Sequence, residues 1–250
     1  MSDLIIVNDD GPIRSIAINR PDKKNALTAP MYRAMTAALD GLDAASNMRC
    51  VLIKGVPGAF SAGNDLQDFL QAATAGEGVG LPAIEFLTAL VRCQRPLVAA
   101  VQGVAVGIGT TMLLHCDHVV AGTDARFSTP FVGLGLVPEA ASSLLAPRLM
   151  GQRRAFELLV MGRSFDAETA RDCGLVNTVV SPDAVDAEAL KAAREIAALP
   201  AEAVMASRRL MRGEPDEILA RIDAELAIFK ERLQSAEARQ AFEAFLQRKR

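Results

Sequence analysis

Hydrophobic runs rich in β-branched residues alternate with segments of helical periodicity over the first two thirds of the chain. Two such runs, residues 4–8 and 13–19, flank the turn-forming residues 9–12 and predict an opening hairpin. Further strands are predicted at residues 50–54, 97–101, 117–121, 126–128 and 176–180. Helices are predicted at residues 30–45, 82–93, 109–114, 138–150, 152–161 and 166–173. This alternation predicts an α/β protein.

The pattern from residue 184 onward is almost wholly helical, with breaks at Pro200 and residues 213–215. Apolar residues recur there every three or four positions, so these helices must cover an apolar surface, in their own core or on a neighbouring subunit. They are Ile218, Ile222, Leu226, Phe229, Leu233, Phe242, Phe245 and Leu246. No linker divides the chain. We therefore treat residues 1–195 as the core and residues 196–250 as a helical region of the same fold.

Composition and charge exclude several classes of protein. The net charge of −3, the absence of Trp and the single Tyr disfavour a nucleic-acid partner. The first residues lack the pattern of a signal peptide, and no apolar run reaches the roughly 20 residues that span a membrane. The four cysteines are scattered and form no CxxC, which indicates reduced thiols. We expect a cytoplasmic protein, and because His115 and His118 are too few for a metal site, no metal.

Two glycine-containing segments follow buried strands and lead into helical patterns. They are residues 60–66, FSAGNDL, and residues 103–109, GVAVGIG. A helix start leaves backbone N–H groups without partners, so two such ends could hold one oxygen atom. Alternatively, the glycines only permit close packing of helix against strand. Either segment alone fits both interpretations.

Four motifs together resemble the crotonase (enoyl-CoA hydratase/isomerase) superfamily. They are the loop from Arg20 to Leu27, the two glycine segments with the downstream Cys116-Asp117, and the stretch from Phe127 to Glu139. The resemblance covers essentially the whole chain and is closest to peroxisomal-type Δ3,Δ2-enoyl-CoA isomerases. It implies a spiral of ββα turns with a C-terminal helical trimerisation region, a homotrimer or dimer of trimers, and an acyl-CoA ligand. Coenzyme A is then part of the substrate, and no separate cofactor is expected.

The resemblance places the amides that stabilise a thioester oxyanion at Ala62 and Ile108. Such donors are needed because a proton beside a thioester is weakly acidic, and each contributes about 10²- to 10³-fold in rate. Hydratases of the family use two glutamates, but their positions here hold Thr111 and Phe131. Glu139 instead matches the catalytic glutamate of the isomerases. Should Glu139 not be the base, Asp65 and Glu85 are the next candidates.

Glu139 also has a purely structural interpretation, in which it only stabilises the first turn of the helix that follows Pro138. The spacing alone favours this structural interpretation, whereas the family resemblance favours the catalytic role. Apolar neighbours should raise the pKa of Glu139, whereas a helix N-terminus should lower it. The sequence leaves the sign of the pKa shift open.

Cationic residues near the first motif suit the phosphates of coenzyme A. They are Arg20, Lys23 and Lys24, although a solvated turn explains the two lysines equally well. The resemblance adds backbone at Ala26 and at residues 62–66. It also suggests that Phe245 and Arg248 contribute to an adjoining subunit's site, although a frayed polar end explains residues 248–250 equally well. The backbone residues 62–66 are Ala62, Gly63, Asn64, Asp65 and Leu66. The predicted acyl pocket comprises Leu70, Phe86, Phe131, Leu134 and Leu136, beside a Gly-rich loop at 76–80 that forms a lid or is disordered.

The sequence therefore predicts a Δ3,Δ2-enoyl-CoA isomerase of fatty acid metabolism with one glutamate as acid and base. An enoyl-CoA hydratase, or another crotonase-type lyase or thioesterase, is the enzymatic alternative. A CoA-binding scaffold of the same fold without catalysis is the alternative from another class of protein.

Overall fold

A computed structural model describes residues 4–42, 47–56, 58–65 and 81–247, with side chains described to residue 244. Ten strands alternate with helices along this part of the chain. The strands are β1 (Ile5–Asp10), β2 (Ile13–Ile18), β3 (Cys50–Gly55), β4 (Ala59–Ser61), β5 (Leu97–Val101), β6 (Val104–Val106), β7 (His118–Gly122), β8 (Arg126–Ser128), β9 (Phe165–Asp166) and β10 (Thr178–Val180).

The strands form two sheets. The larger sheet has the order β1-β2-β3-β5-β7-β10, and the smaller one has the order β4-β6-β8-β9. Strands β1 and β2 form the predicted antiparallel hairpin, and β2, β3, β5, β7 and β10 pair in parallel. In the smaller sheet β4, β6 and β8 are parallel, and β9 pairs with β8 in antiparallel fashion.

Nine α-helices accompany the strands in the described part of the chain. They are α1 (Ala29–Asp40), α2 (Leu81–Arg92), α3 (Ile108–Thr111), α4 (Ser142–Leu159), α5 (Ala167–Asp172), α6 (Val185–Ala198), α7 (Ala201–Arg212), α8 (Pro215–Leu233) and α9 (Ala236–Gln247). Short 3-10 turns lie at Pro21–Lys23, Met112–His115, Val132–Leu134 and Pro182–Ala184. None of these helices is both long enough and apolar enough to cross a lipid bilayer.

The central strands of the larger sheet are buried on both faces, as expected for parallel strands between helices. One face carries Ile16, Ile53 and Val101, which pack into the main core with α1 and α2. The opposite face carries Leu52 and Val98 and is covered by small residues of α6. All five residues of β5 are buried, which explains why its run is continuously apolar. The predicted α/β class is confirmed.

Most predicted elements are present within a few residues. The differences lie at helix ends and at short strands, including β9, which was not predicted. The first helix ends at Asp40 rather than near residue 45. The short strands β4 and β6 were not predicted, and they place the ends of both glycine segments on a second sheet. The helix expected from Pro138 begins only at Ser142. The predicted short helix through Leu70 and the loop at 76–80 lie outside the described residues.

Candidate active site

The two glycine segments meet where β4 and β6 end. A Cβ atom on Gly63 would lie 2.7 Å from Val106 O, and one on Gly109 would lie 2.7 Å from Ser61 O. Both distances are too short for any larger residue, so the close-packing interpretation holds at these two positions. This packing brings residues 64 and 108 to the lining of one cavity.

At this junction, the backbone N–H groups of Asn64 and Ile108 have no acceptor among the described residues. Leu27 bonds to the residues on either side of Asn64, with Leu27 N donating to Gly63 O and Asp65 N donating to Leu27 O, each at 2.8 Å. The remaining amide of this short parallel bridge is left on the opposite side. Ile108 is the first residue of α3, where an amide lacks an intrahelical acceptor.

The assignment of the first free amide to Ala62 is wrong. Ala62 N donates to Lys24 O at 2.8 Å, so its hydrogen is already occupied. Gly63 N is also engaged, by Ser61 Oγ at 3.1 Å. The pair of free amides therefore consists of Asn64 and Ile108. The sequence placed the first of them two residues too early.

An apolar cavity of about 150 Å³ adjoins both free amides. Three residues of the predicted acyl pocket line it, and the sequence missed the contribution of the C-terminal helices. The lining residues are Ala62, Gly63, Asn64, Val106, Gly107, Ile108, Pro130, Phe131, Leu134, Leu136, Phe229 and Phe242. Phe86 is not among them, because it is buried in the main core beside Tyr32. Leu70 lies outside the described residues.

Glu139 lies between the 3-10 turn and α4, and its carboxylate accepts a hydrogen bond from a buried hydroxyl. Thr111 Oγ1 donates to Glu139 Oε1 at 2.5 Å. Burial raises the pKa of Glu139 to about 7; the Thr111 hydrogen bond opposes this rise, and the negative charge of Glu225 adds to it. The sequence left the direction of this pKa shift open. The shift is upward, because desolvation outweighs the hydrogen bond.

The turn that carries Glu139 has an uncommon backbone. Ala140 and Ala141 both have positive φ, 62° and 55°, which delays the start of α4 to Ser142. Two neutral methyl side chains do not favour this conformation by themselves. Contacts from distant parts of the chain must therefore stabilise it.

Two side chains stabilise this turn from other elements. The carboxylate of Glu225 in α8 accepts hydrogen bonds from Ala141 N at 2.7 Å and from Ser143 N at 2.9 Å. His115 Nε2 lies 2.9 Å from Ala140 O, and because a carbonyl only accepts, the ring donates. Burial lowers the pKa of His115 to about 4, so the ring is neutral at pH 7. Both residues fix the direction of Glu139.

The predicted coenzyme A residues form a polar loop beside this junction. Arg20 is paired with Asp65, Nη1 to Oδ2 at 2.7 Å, and also donates to Ala26 O. Lys23 and Lys24 are exposed. Leu66 and Arg248 lie outside the described residues, and Phe245 belongs to α9 with its side chain also outside them. Of the predicted cations that the structure describes, Lys23 and Lys24 remain exposed.

These features together define a class of protein. Two fixed amides at an apolar cavity can hold a carbonyl oxygen that becomes negatively charged. A carboxyl group whose pKa lies near 7 can both take and return a proton at neutral pH. Such features suit proton transfer next to a carbonyl group.

Comparison with known proteins identifies the family. Residues 9–250 match the family model described as Enoyl-CoA hydratase/isomerase, and the chain belongs to this family. It is similar to Enoyl-CoA delta isomerase 2 of Rattus norvegicus, with 35% identity over 250 residues that cover 98% of this chain. The chain spans 64% of the length of that rat protein. It is also similar to a "Probable enoyl-CoA hydratase" of Rhizobium meliloti, with 30% identity over 98% of this chain and 96% of that protein.

A solved structure shares the fold. The enoyl-CoA hydratase/isomerase from Pseudoalteromonas atlantica superposes with a TM-score of 0.93 at 42% identity, covering 98% of each chain. The crotonase fold expected from the sequence is thereby confirmed. Both isomerases and hydratases are found among the relatives, so family membership supports an enzyme of the enoyl-CoA hydratase/isomerase type and does not distinguish the two reactions.

Proposed function

We propose that the protein is a Δ3,Δ2-enoyl-CoA isomerase that uses Glu139 as its single acid and base. The observation that carries this proposal is the Glu139 carboxyl group, whose pKa is about 7 and which is bonded to the helix that begins at the free amide of Ile108. Thr111 and Phe131 stand where a hydratase of the family has glutamates. Neither side chain can activate water at neutral pH.

The reaction begins with the Glu139 carboxylate taking a proton from C2 of a 3-enoyl thioester. The electron pair moves into the conjugated system, and negative charge collects on the thioester oxygen. Asn64 N–H and Ile108 N–H donate to that oxygen, and each donor contributes about 10²- to 10³-fold in rate. Glu139 then returns the proton to C4, which yields the 2-enoyl thioester. The same carboxyl group gains and loses one proton, so no second base is needed.

The surroundings of the site suit this chemistry. The cavity lining is mostly aliphatic and aromatic, which excludes water from the acyl group and strengthens hydrogen bonds to the dienolate. Exposed Lys23 and Lys24 can meet the phosphates of coenzyme A, whereas Arg20 is held by Asp65. In this proposal the substrate supplies the coenzyme A group, and no other cofactor takes part.

The test incubates the purified protein with a 3-enoyl-CoA and, separately, with a 2-enoyl-CoA in water. Conjugated 2-enoyl product from the first, without 3-hydroxyacyl product from the second, supports the isomerase. Rapid formation of 3-hydroxyacyl-CoA with no isomerisation would contradict it and favour the hydratase. Binding of both thioesters with no conversion of either would identify a CoA-binding scaffold instead.

A further inference from the structure

The Thr111 hydroxyl lies between two acceptors that belong to different parts of the site. Its oxygen is 2.5 Å from Glu139 Oε1 and 3.4 Å from Gly107 O. The residue is fully buried, so no water competes for it. A hydroxyl carries one hydrogen, which it gives to one acceptor at a time. An ionised carboxylate is the stronger acceptor, so the hydrogen goes to Glu139 while Glu139 is charged.

The second acceptor is linked directly to one of the free amides. Gly107 O and Ile108 N–H belong to the same peptide group, at the start of α3. A hydrogen bond to the carbonyl of a peptide polarises the group and makes its N–H a stronger donor. Gly107 O already accepts from Thr110 N and Thr111 N at 2.9 Å each. A further bond from the Thr111 hydroxyl would increase this polarisation.

We propose that Thr111 is a positioning residue that couples the proton on Glu139 to the hydrogen-bonding strength of the Ile108 amide. The inference rests on the proposed function. When Glu139 takes the C2 proton, its Oε1 becomes a weaker acceptor and the Thr111 hydroxyl turns toward Gly107 O. The Ile108 N–H then strengthens while the thioester oxygen carries its negative charge. Return of the proton to C4 reverses the change, and Thr111 keeps its own hydrogen throughout.

The same contact distinguishes the two oxygens of Glu139. Because Thr111 occupies Oε1, the other oxygen, Oε2, is left to exchange protons with the substrate. Other charged or titratable groups approach the turn from different sides: Glu225 and Arg221 from α8, and neutral His115 from the 3-10 turn after α3. These three side chains contact Ala141, Ser143 and Ala140 rather than Glu139, so a change at Thr111 leaves these contacts in place.

The decisive variants are Thr111→Val, which removes the hydroxyl at nearly constant volume, and Thr111→Ser, which restores it. Thr110→Val is the matched control. Thr110 is the buried neighbour in the same helix, and its hydroxyl donates to Ala105 O at 2.6 Å rather than to Glu139. General loosening of α3 would affect all Thr→Val variants alike. A specific coupling affects only position 111.

The experiment follows the Ile108 amide by NMR in the full-length, ligand-free protein labelled with ¹⁵N-isoleucine. The Ile108→Val variant assigns the signal by its loss. We expect the amide proton shift to titrate with a midpoint near that of Glu139, to lose most of its amplitude in Thr111→Val, and to keep it in Thr111→Ser and Thr110→Val. An amide that does not titrate in the unmodified protein, or that titrates unchanged in Thr111→Val, would overturn the inference.

Kinetics provide the second measurement. Loss of the Thr111 hydrogen bond raises the pKa of Glu139, so the acidic limb of kcat/KM should move to higher pH by about one unit in Thr111→Val and return in Thr111→Ser. An unmoved limb would contradict the coupling. The NMR titration needs no turnover, so a protein that titrates as expected but does not isomerise 3-enoyl-CoA refutes the proposed function and leaves the role of Thr111 intact.

Discussion

Two regions that carry carboxylates flank the free amides, and they differ in what faces the charge. In the polar loop, Asp65 follows Asn64 and is ion-paired with Arg20 at 2.7 Å. In the apolar turn, Glu139 accepts from the Thr111 hydroxyl and lies near a second negative charge, Glu225. Within the described part of the chain, no cation forms an ion pair with Glu139.

The difference shows how one functional group takes two roles. A cation beside a carboxylate favours its charged form, whereas burial without a cation favours the neutral form. A carboxyl group that gains and loses a proton during each turnover must have both forms accessible near neutral pH. Sequence alone offered Asp65 as an alternative base. The contact with Arg20 supports a structural role for Asp65. The lack of an ion-paired cation at Glu139, among the described residues, supports a role in proton transfer for Glu139.

The largest expected effect comes from removing each carboxylate separately. Glu139→Gln should lower kcat for 3-enoyl-CoA isomerisation by at least about 10²- to 10⁴-fold, because the amide can neither take nor return a proton. Asp65→Asn should stay within about tenfold of the unmodified protein, since it alters an ion pair rather than the base. Circular dichroism checks that both variants fold. Equal loss of kcat in the two variants would remove the distinction between the regions.

Glu139→Gln should lower kcat but raise the free energy of unfolding at neutral and higher pH. Folding raises the pKa of Glu139 from 4.5 to about 7, so between these values the folded state binds more protons and stability falls as pH rises. Above pH 7, Glu139→Gln should therefore gain about 3 kcal/mol in unfolding free energy over the unmodified protein, relative to their difference at pH 4. Urea unfolding at several pH values measures this. A pH-independent difference would mean that burial does not perturb Glu139.

His115 contributes to the pH dependence of both proteins and cancels in that comparison. Its pKa falls from 6.5 to about 4 on folding, so the unfolded state binds more protons between these values. Stability from this residue therefore rises with pH up to about 6.5 and is lost below it. In the unmodified protein the slopes of His115 and Glu139 oppose each other between pH 4.5 and 6.5. We expect Glu139→Gln to reveal the rising slope of His115.

Glu225→Gln tests the support of the apolar turn. Glutamine keeps one acceptor oxygen for Ala141 N or Ser143 N and turns its NH2 group, which only donates, toward the other, which should cost about 1–3 kcal/mol of stability. Loss of the negative charge should also lower the pKa of Glu139 and move the acidic limb of kcat/KM to lower pH. Glu217→Gln is the control, because Glu217 lies on the same helix as Glu225 and its ion pair with Arg148 of α4 is exposed. A limb that moves to higher pH would contradict the electrostatic account.

The smallest expected effect is at the polar loop. A double-mutant cycle with Arg20→Gln and Asp65→Asn should give a coupling energy of about 1 kcal/mol, since both side chains are largely but not fully buried. The more exposed pair Lys54–Asp186 should couple more weakly. Zero coupling between Arg20 and Asp65 would show that the ion pair does not distinguish this region from the Glu139 turn.

The sequence predicted the larger sheet well and the smaller one poorly. Runs such as Leu97–Val101 are long and continuously apolar, so their pattern is unambiguous. Ala59–Ser61 and Val104–Val106 have three residues each, too few for a period of two to be seen. They form strands because they pair with each other and with β8, which is a tertiary contact.

The same limit applies to the site. Glu139 and Ile108 were proposed from their motifs, but the choice between Ala62 and Asn64 depends on hydrogen bonds to Lys24 and Leu27 that no local pattern reveals. The sequence around Pro138 predicted a helix that begins directly at Pro138. Glu225, from a distant helix, stabilises a left-handed turn there instead. Phe242 was noted only as an apolar helix position, and its place in the cavity depends on how α9 packs.

The most direct test of a single base follows the transferred proton itself. A 3-enoyl-CoA carrying deuterium at C2 is converted in ordinary water, and mass spectrometry with NMR locates the label in the product. If Glu139 takes the deuteron from C2 and delivers it to C4, the 2-enoyl product carries deuterium at C4 in a measurable fraction of molecules. Complete absence of deuterium from C4, at early times and low conversion, would contradict the account in which one carboxyl group, in a cavity that excludes water, takes the deuteron and returns it.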